Sequence, residues 1–190
     1  MPKLTQSYVH GVSMTPLIGE TIGAHFDKMA ARFADRDALI VRQQNVRFTY
    51  RELKEKVDAL AAGLLALGLI PGDRVGIWSP NNAEWAITQF ATAKAGLILV
   101  NINPAYRLAE LDYALNKVGC KALITADQFK TSDYVAMLGE LAPEIERSAK
   151  PGPNRLRTIA FPVGSISFAY FSRASRFFNS RRSRSFIVLK

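Results

Sequence analysis

Asn101, Asn103 and Tyr106 stand just past a short apolar run, Leu97-Ile98-Leu99-Val100, in the stretch AKAGLILVNINPAY. Two amides and a phenol at the exit of a strand can hold a polar ligand by hydrogen bonds, so these three are the candidate cleft residues. The same residue types also build a turn unaided, since Asn and Pro favour turn conformations in their own right. The other reactive side chains have plainer explanations. Cys120 opens an apolar strand, where a thiol behaves as a small buried hydrophobe. His10 and His25 lack the spacing of metal ligands, and one Cys excludes both an internal disulfide and a multi-cysteine zinc site. No metal site is expected. Trp78 and Trp85 fall at a strand end and in an apolar helix, which favours core packing over lining a pocket. Lys94 ends a helix, where its charge suits the terminal carbonyls.

These residues need elements to position them, and the apolar spacing supplies a reading. Residues 18–34 read as a helix, with Ile18, Ile22, Phe26, Met29 and Phe33 at helical spacing. Residues 38–41 and 46–48 read as a strand and its hairpin partner. Thr49-Tyr50-Arg51-Glu52 is a capping box: the Thr side chain can accept from the Glu52 amide while Glu52 reaches back. Leu53, Val57, Leu60, Leu64 and Leu67 then form one stripe, and Gly68 stops the helix. Residues 75–78 make a strand, Asn81 and Glu84 a second capping pair, and residues 83–95 a buried helix. The run 97–100 reads as a core strand. A helix over 107–118, a strand over 120–125 and a weaker helix over 132–141 follow. Strict alternation of this kind reads as βαβ units, an α/β fold with a mainly parallel sheet. Ligands in such sheets lie beyond the carboxyl ends of the strands, where residues 79–82 and 101–106 both fall.

Three segments carry a family resemblance. Phe48-Thr49-Tyr50-Arg51-Glu52-Leu53 resembles the (L/F)(S/T)YxEL motif of adenylate-forming enzymes. Gly72-Asp73-Arg74-Val75-Gly76-Ile77, followed by Asn81-Asn82-Ala83-Glu84-Trp85, is similar to the strand and helix that come next in acyl-CoA synthetases. Ala93-Lys94-Ala95-Gly96, running on to Asn101-Ile102-Asn103-Pro104, resembles the family pattern KAGxxxxxxNP. The resemblance covers about residues 15–150 and is nearest the fatty-acid or medium-chain branch. It implies a partial N-terminal domain of the adenylate-forming fold. It also implies an activity for the whole enzyme: a fatty or other carboxylic acid is joined to ATP with Mg²⁺, giving an acyl-adenylate, and the acyl group passes to coenzyme A. Charge developing on the phosphates there must be met by aligned donors, a cation and the metal.

This sequence departs from the family in lacking its phosphate loop, and the family's later ribose-holding acid and adenylation Lys find no match in it either. The Ser/Thr/Gly-rich phosphate loop that ends in Pro-Lys-Gly does not occur in it, nor does a G-x-x-x-x-G-K-[ST] string. No catalytic residue therefore transfers onto this chain. It is expected to be a truncated synthetase, inactive alone and binding no cofactor itself.

The charge divides unevenly. Residues 1–150 hold 17 Lys and Arg against 16 Asp and Glu, whereas residues 151–190 hold eight basic residues and no acid. Of the net charge of +9, eight units thus belong to the last segment. Three divisions follow: an N-terminal extension, 1–17; the partial AMP-binding domain, 18–150; and a basic Ser/Arg/Phe-rich tail, 151–190, outside the family pattern. In the tail, 165–171 alternates like a strand without an evident partner, and Leu156–Ile159 resembles the start of the family's next strand. Arg173, Arg176, Arg181, Arg182 and Arg184 beside Phe177, Phe178 and Phe186 suggest an alternative, non-catalytic binding to nucleic acid or anionic membrane. A frameshifted or truncated reading explains the tail more simply, so no specific nucleic acid is expected. A further alternative is an inactive partner of a full-length synthetase. No run of 18 apolar residues occurs. The N-terminus has no presequence-like pattern, and one cysteine fits a reducing compartment, so a cytoplasmic location is expected.

Overall fold

The computed structural model describes residue 11, residues 13–142 and, by backbone alone, residues 157–162 and 184–189. In chain order the elements are α1 (Ile22–Arg32), β1 (Asp37–Val41), a 3-10 turn (Arg42–Gln44), β2 (Val46–Thr49), α2 (Tyr50–Ala66), β3 (Arg74–Trp78), α3 (Ala83–Lys94) and β4 (Ile98–Ile102). There follow α4 (Leu108–Val118), β5 (Ala122–Ala126), β6 (Gln128–Phe129), β7 (Ser132–Asp133), α5 (Tyr134–Leu141), β8 (Arg157–Pro162) and β9 (Arg184–Leu189).

The main sheet has the order β4-β3-β5-β9-β8. Its first three strands are parallel, the expected α/β core, and β9 runs antiparallel to both β5 and β8. Strand β8 starts at Arg157, where the resemblance anticipated a next strand. The alternating run 165–171 and Arg173, Arg176, Arg181 and Arg182 lie outside the described residues. β1 and β2 form the expected hairpin, and β6 and β7 a second one that the apolar spacing did not show.

The sheet divides two cores. On one side Phe26, Leu53, Val57, Leu64, Val75, Ile87 and Ile124 pack together, so α1, α2 and α3 cover that face. On the other, Trp78, Ile102, Leu111, Leu123, Tyr134 and Met137 join the strands to α4 and α5. Strand β3, flanked by β4 and β5, is nearly fully buried, and Gly76 lets its neighbours close in. A Cβ there would lie 3.0 Å from both Ile102 Cδ1 and Leu123 Cδ1.

Local signals are realised where they are short-ranged. The Thr49–Glu52 capping box forms in both directions, Thr49 Oγ1 accepting from the Glu52 amide and Glu52 accepting from the Thr49 amide at 2.8 Å. Helix α1 is shorter than expected because Thr21 caps it, accepting from the Ala24 amide. Ile18 falls outside it, and Ile18 and Ile22 are 67% and 65% exposed, so the apolar face starts at Phe26. The cap of α3 is Asn82, not Asn81: its Oδ1 accepts from the Trp85 amide at 2.9 Å. Glu84 receives Gln44 Nε2 instead.

Two readings change more. The run 97–100 is only partly core: Leu97 is buried, but among the described strands β4 lies at an end of the sheet, and Ile98 is 47% exposed. Lys94 does not serve the carbonyls of α3. Its ammonium donates to Asp27 Oδ1 of α1 at 2.6 Å and to Asp58 Oδ1 of α2. Lys54 joins the same carboxylates, so two Lys and two Asp tie three helices together.

Gly96 links β4 to the preceding turn. Its φ is +72°, its carbonyl accepts from the Gly72 amide at 2.8 Å, and a Cβ would sit 3.2 Å from Pro71 Cβ. Gly96→Ala is expected to destabilise the chain by about 1–2 kcal/mol, the left-handed penalty. Gly63 lies inside α2 with open space around it. Gly63→Ala is expected to stabilise by about 0.5–1 kcal/mol. Denaturant unfolding of the two variants checks both signs.

Candidate functional site

The carboxyl ends of β3, β4 and β5 form the ligand side of a parallel sheet. Each leads into a connection: the loop 79–82 after β3, the loop 103–107 after β4 and residues 127–133, with the β6–β7 hairpin, after β5. What these loops do with their polar groups decides what the edge can bind.

The loop after β4 is held from beneath. Asn103 Oδ1 accepts from the Ala105 amide at 2.9 Å, an Asx-type turn, and the Asn103 carbonyl accepts from the Tyr106 amide at 3.0 Å. The same carbonyl accepts from Trp78 Nε1 at 3.2 Å, and the neighbouring Pro104 carbonyl accepts from the Tyr134 hydroxyl. Trp78 and Tyr134 are fully buried and stack, with centroids 3.5 Å apart and planes 14° from parallel. Burial pushes the Tyr134 phenol up to about 12, so it remains a donor through the physiological range. Thr125 Oγ1 of β5 donates to the Trp78 carbonyl at 3.0 Å. The ends of all three parallel strands thus meet at Trp78.

The three candidate residues are placed differently. Asn103 is exposed at the turn, and Tyr106 is half-buried against the Trp78 core three residues on. Asn101 is exposed but sits beside Ile77 in the parallel register, whereas Trp78 pairs with Ile102. Laterally paired residues share a face, so Asn101 lies on the face opposite the Trp78 core. The structure brings Asn103 and Tyr106 together and leaves Asn101 apart. Of the tryptophans, Trp78 is core as expected, while Trp85 is only half-buried. Cys120 is buried, and His25 Nδ1 lies 3.1 Å from Glu20 Oε1.

The residues at this edge do not fit a triphosphate. Helix N-termini bind phosphate through free amides and a positive dipole end. At α3 the Ala83 amide donates to Gln44 Oε1 at 2.7 Å and the Trp85 amide to Asn82, with Glu84 in the first turn. At α4 the Arg107 amide donates to Glu110 Oε2 at 2.9 Å, again a carboxylate in the first turn. At α5 Asp133 takes the Ala136 amide. An anion would meet a carboxylate at each of these helix starts, and at α3 and α5 amides that already have partners. Among the described residues, no buried side-chain nitrogen or oxygen lacks a partner, so none is left waiting for a ligand. The arrangement can shape a rim; among the described residues it supplies no charge relay or phosphate cradle.

Comparisons with known proteins supply the rest. The family described as AMP-binding enzyme matches residues 26–158. The chain is 50% identical over 146 residues to the mitochondrial medium-chain acyl-CoA ligase ACSF2 of Bos taurus, covering 77% of this chain and 24% of the relative. It is 38% identical over 149 residues to the putative acyl-CoA synthetase YngI of Bacillus subtilis, covering 78% of this chain and 27% of that one. Among solved structures, the N-terminal domain of FACL13 from Mycobacterium tuberculosis superposes with a TM-score of 0.58 at 26% identity, covering 70% of this chain and 31% of that one. The N-terminal subdomain of Klebsiella oxytoca NpsA, in complex with anthranilyl-AMSN, gives 0.51 at 36% identity, covering 54% and 26%. The chain thus spans about a quarter of the length of these curated relatives.

The cytoplasmic expectation does not stand. The bovine, murine and human relatives are mitochondrial by name. A single buried cysteine suits any reducing compartment, so it never distinguished the two. Residue pattern, fold and relatives agree: the chain belongs to the AMP-binding enzyme family, and what it carries resembles the N-terminal part of an acyl-CoA synthetase.

Proposed function

We propose that this chain supplies the N-terminal scaffold of a mitochondrial acyl-CoA ligase, and that it does not ligate on its own. In the whole enzyme a fatty acid is activated with ATP and Mg²⁺ to an acyl-adenylate and transferred to coenzyme A. The observation that carries this reading is the 50% identity to a medium-chain acyl-CoA ligase over 146 residues. The carboxylates at the helix N-termini and the missing phosphate loop support the second half: this segment holds a rim of the site and leaves phosphate chemistry to residues outside it. Asn103 and Tyr106 are its proposed rim contacts, with Asn101 the weaker candidate on the other face.

Two assays test the proposal. The purified chain, given a medium-chain fatty acid, ATP, Mg²⁺ and coenzyme A, is expected to form no thioester; thioester formation would overturn its assignment as a scaffold. A chimera of the bovine ligase in which residues 26–158 of this chain replace the matching segment is expected to keep its rate within about tenfold, ~1.4 kcal/mol in the barrier. A folded but inactive chimera would exclude the ligase reading.

A further inference from the structure

We propose that Trp78 and Tyr134 are positioning residues that act through the backbone of residues 103–106, fixing where Asn103 and Tyr106 stand at the rim. The inference rests on the ligase reading and adds to it a device that no sequence motif announces. Two adjacent carbonyls, those of Asn103 and Pro104, each accept a bond from a fully buried aromatic side chain. The two donors come from different elements, one at the end of β3 and one at the start of α5, and their rings stack on each other. Either ring alone would leave the turn free to pivot about a single bond. Two donors on consecutive peptide units remove that freedom. The stack fixes the donors relative to each other, and Thr125 fixes the Trp78 backbone. The turn amides add their own closure through Ala105 and Tyr106.

Because both rings are fully buried, neither touches a ligand at the rim. Their effect reaches a substrate only through the turn. Tyr134→Phe is the clean probe: it keeps the stack, removes one donor and leaves the Pro104 carbonyl unpaired.

Hydrogen exchange of the 190-residue chain reads the latch without any ligand. In the unaltered chain, the Trp78 Nε1 proton and the Tyr106 amide are expected to exchange with matching protection. In Tyr134→Phe the Ala105 and Tyr106 amides are expected to exchange at least about tenfold faster, while amides in the middle of α2 change by less than about twofold. Unmatched protection, an unmoved turn, or equal acceleration in α2 would overturn the latch. Should Tyr134→Phe fail to fold, Trp78→Phe removes the other donor and is judged by the same local signature, and the comparison in the unaltered chain stands regardless. The chimera described above, carrying Tyr134→Phe, then reads the rim. A KM for the fatty acid raised about threefold or more, with kcat nearly kept, is expected. Faster exchange at the turn with KM unmoved would refute the rim role while leaving the latch in place, so the two failures are distinguishable.

Discussion

Trp78→Ala is expected to cost the chain about 3–5 kcal/mol, the range for deleting a large buried aromatic. The side chain is fully buried among Ile102, Leu123 and Tyr134, and truncation would leave a void in the smaller of the two cores. It would also strip the Asn103 carbonyl of its indole donor and Tyr134 of its stacking partner. A domain of this size is stable by roughly 5–15 kcal/mol, so the loss is a large share of the total. Denaturant unfolding followed by circular dichroism measures it. A midpoint shift worth less than about 1 kcal/mol would mean that the core closes over the void, contrary to the packing described.

The charged tie among α1, α2 and α3 gives the second large effect. Lys94→Met keeps the apolar stem that packs against Gly23 and removes the ammonium between Asp27 and Asp58. Lys94 is 16% exposed, whereas the two carboxylates are 41% and 38% exposed. Solvent screens them, so the expected loss is about 2 kcal/mol rather than the ~3–5 of a fully buried pair. The loss should depend on pH. Burial pushes the Asp58 carboxyl up, but hydrogen bonds from Lys54 and Lys94 outweigh it and hold its pKa below the ordinary 3.8. A carboxylate depressed in the folded state contributes its full stability above the unfolded value and loses it as pH falls through the folded one. The gap between Lys94→Met and the unaltered chain is therefore widest near pH 7 and shrinks below 3.8 as Asp58 protonates. Urea unfolding at pH 7 and pH 3 tests this, and an equal gap at both would show that the ion pairs contribute nothing.

The features that sequence made legible and those it did not differ in range. The Thr49–Glu52 box and the α2 stripe depend on residues three or four apart, so their geometry is written into the spacing. The parallel core followed from the alternation of such local units, and its family from three short motifs. The Lys94 pairings join residues 67 and 36 positions apart, and the Tyr134 bond to Pro104 spans 30. No periodicity reports contacts of that kind. The run 97–100 failed in part, and for another reason: an apolar stretch reads the same at the edge of a sheet as at its centre. Asn81 and Asn82 are equally good caps by type, and the helix start alone chooses between them. At the rim, Asn101 and Asn103 look equivalent two residues apart. The end of β4 separates them, because Asn103 has left the strand and closes a turn.

The side chain of Gln44 has a consequence for the order in which the chain assembles. From the tip of the β1–β2 hairpin it accepts from the Ala83 amide and donates to Glu84, 39 and 40 residues along the chain. Gln43 adds a bond to the Asn81 carbonyl. The first turn of α3 is therefore complete only when a hairpin synthesised well before it is already in place. The hairpin forms from local contacts and can be ready early, whereas α3 must wait for it and for the sheet. Assembly of the two βαβ units is thereby joined to the hairpin, and a fault in the hairpin would appear as fraying at the start of a helix it never adjoins in sequence.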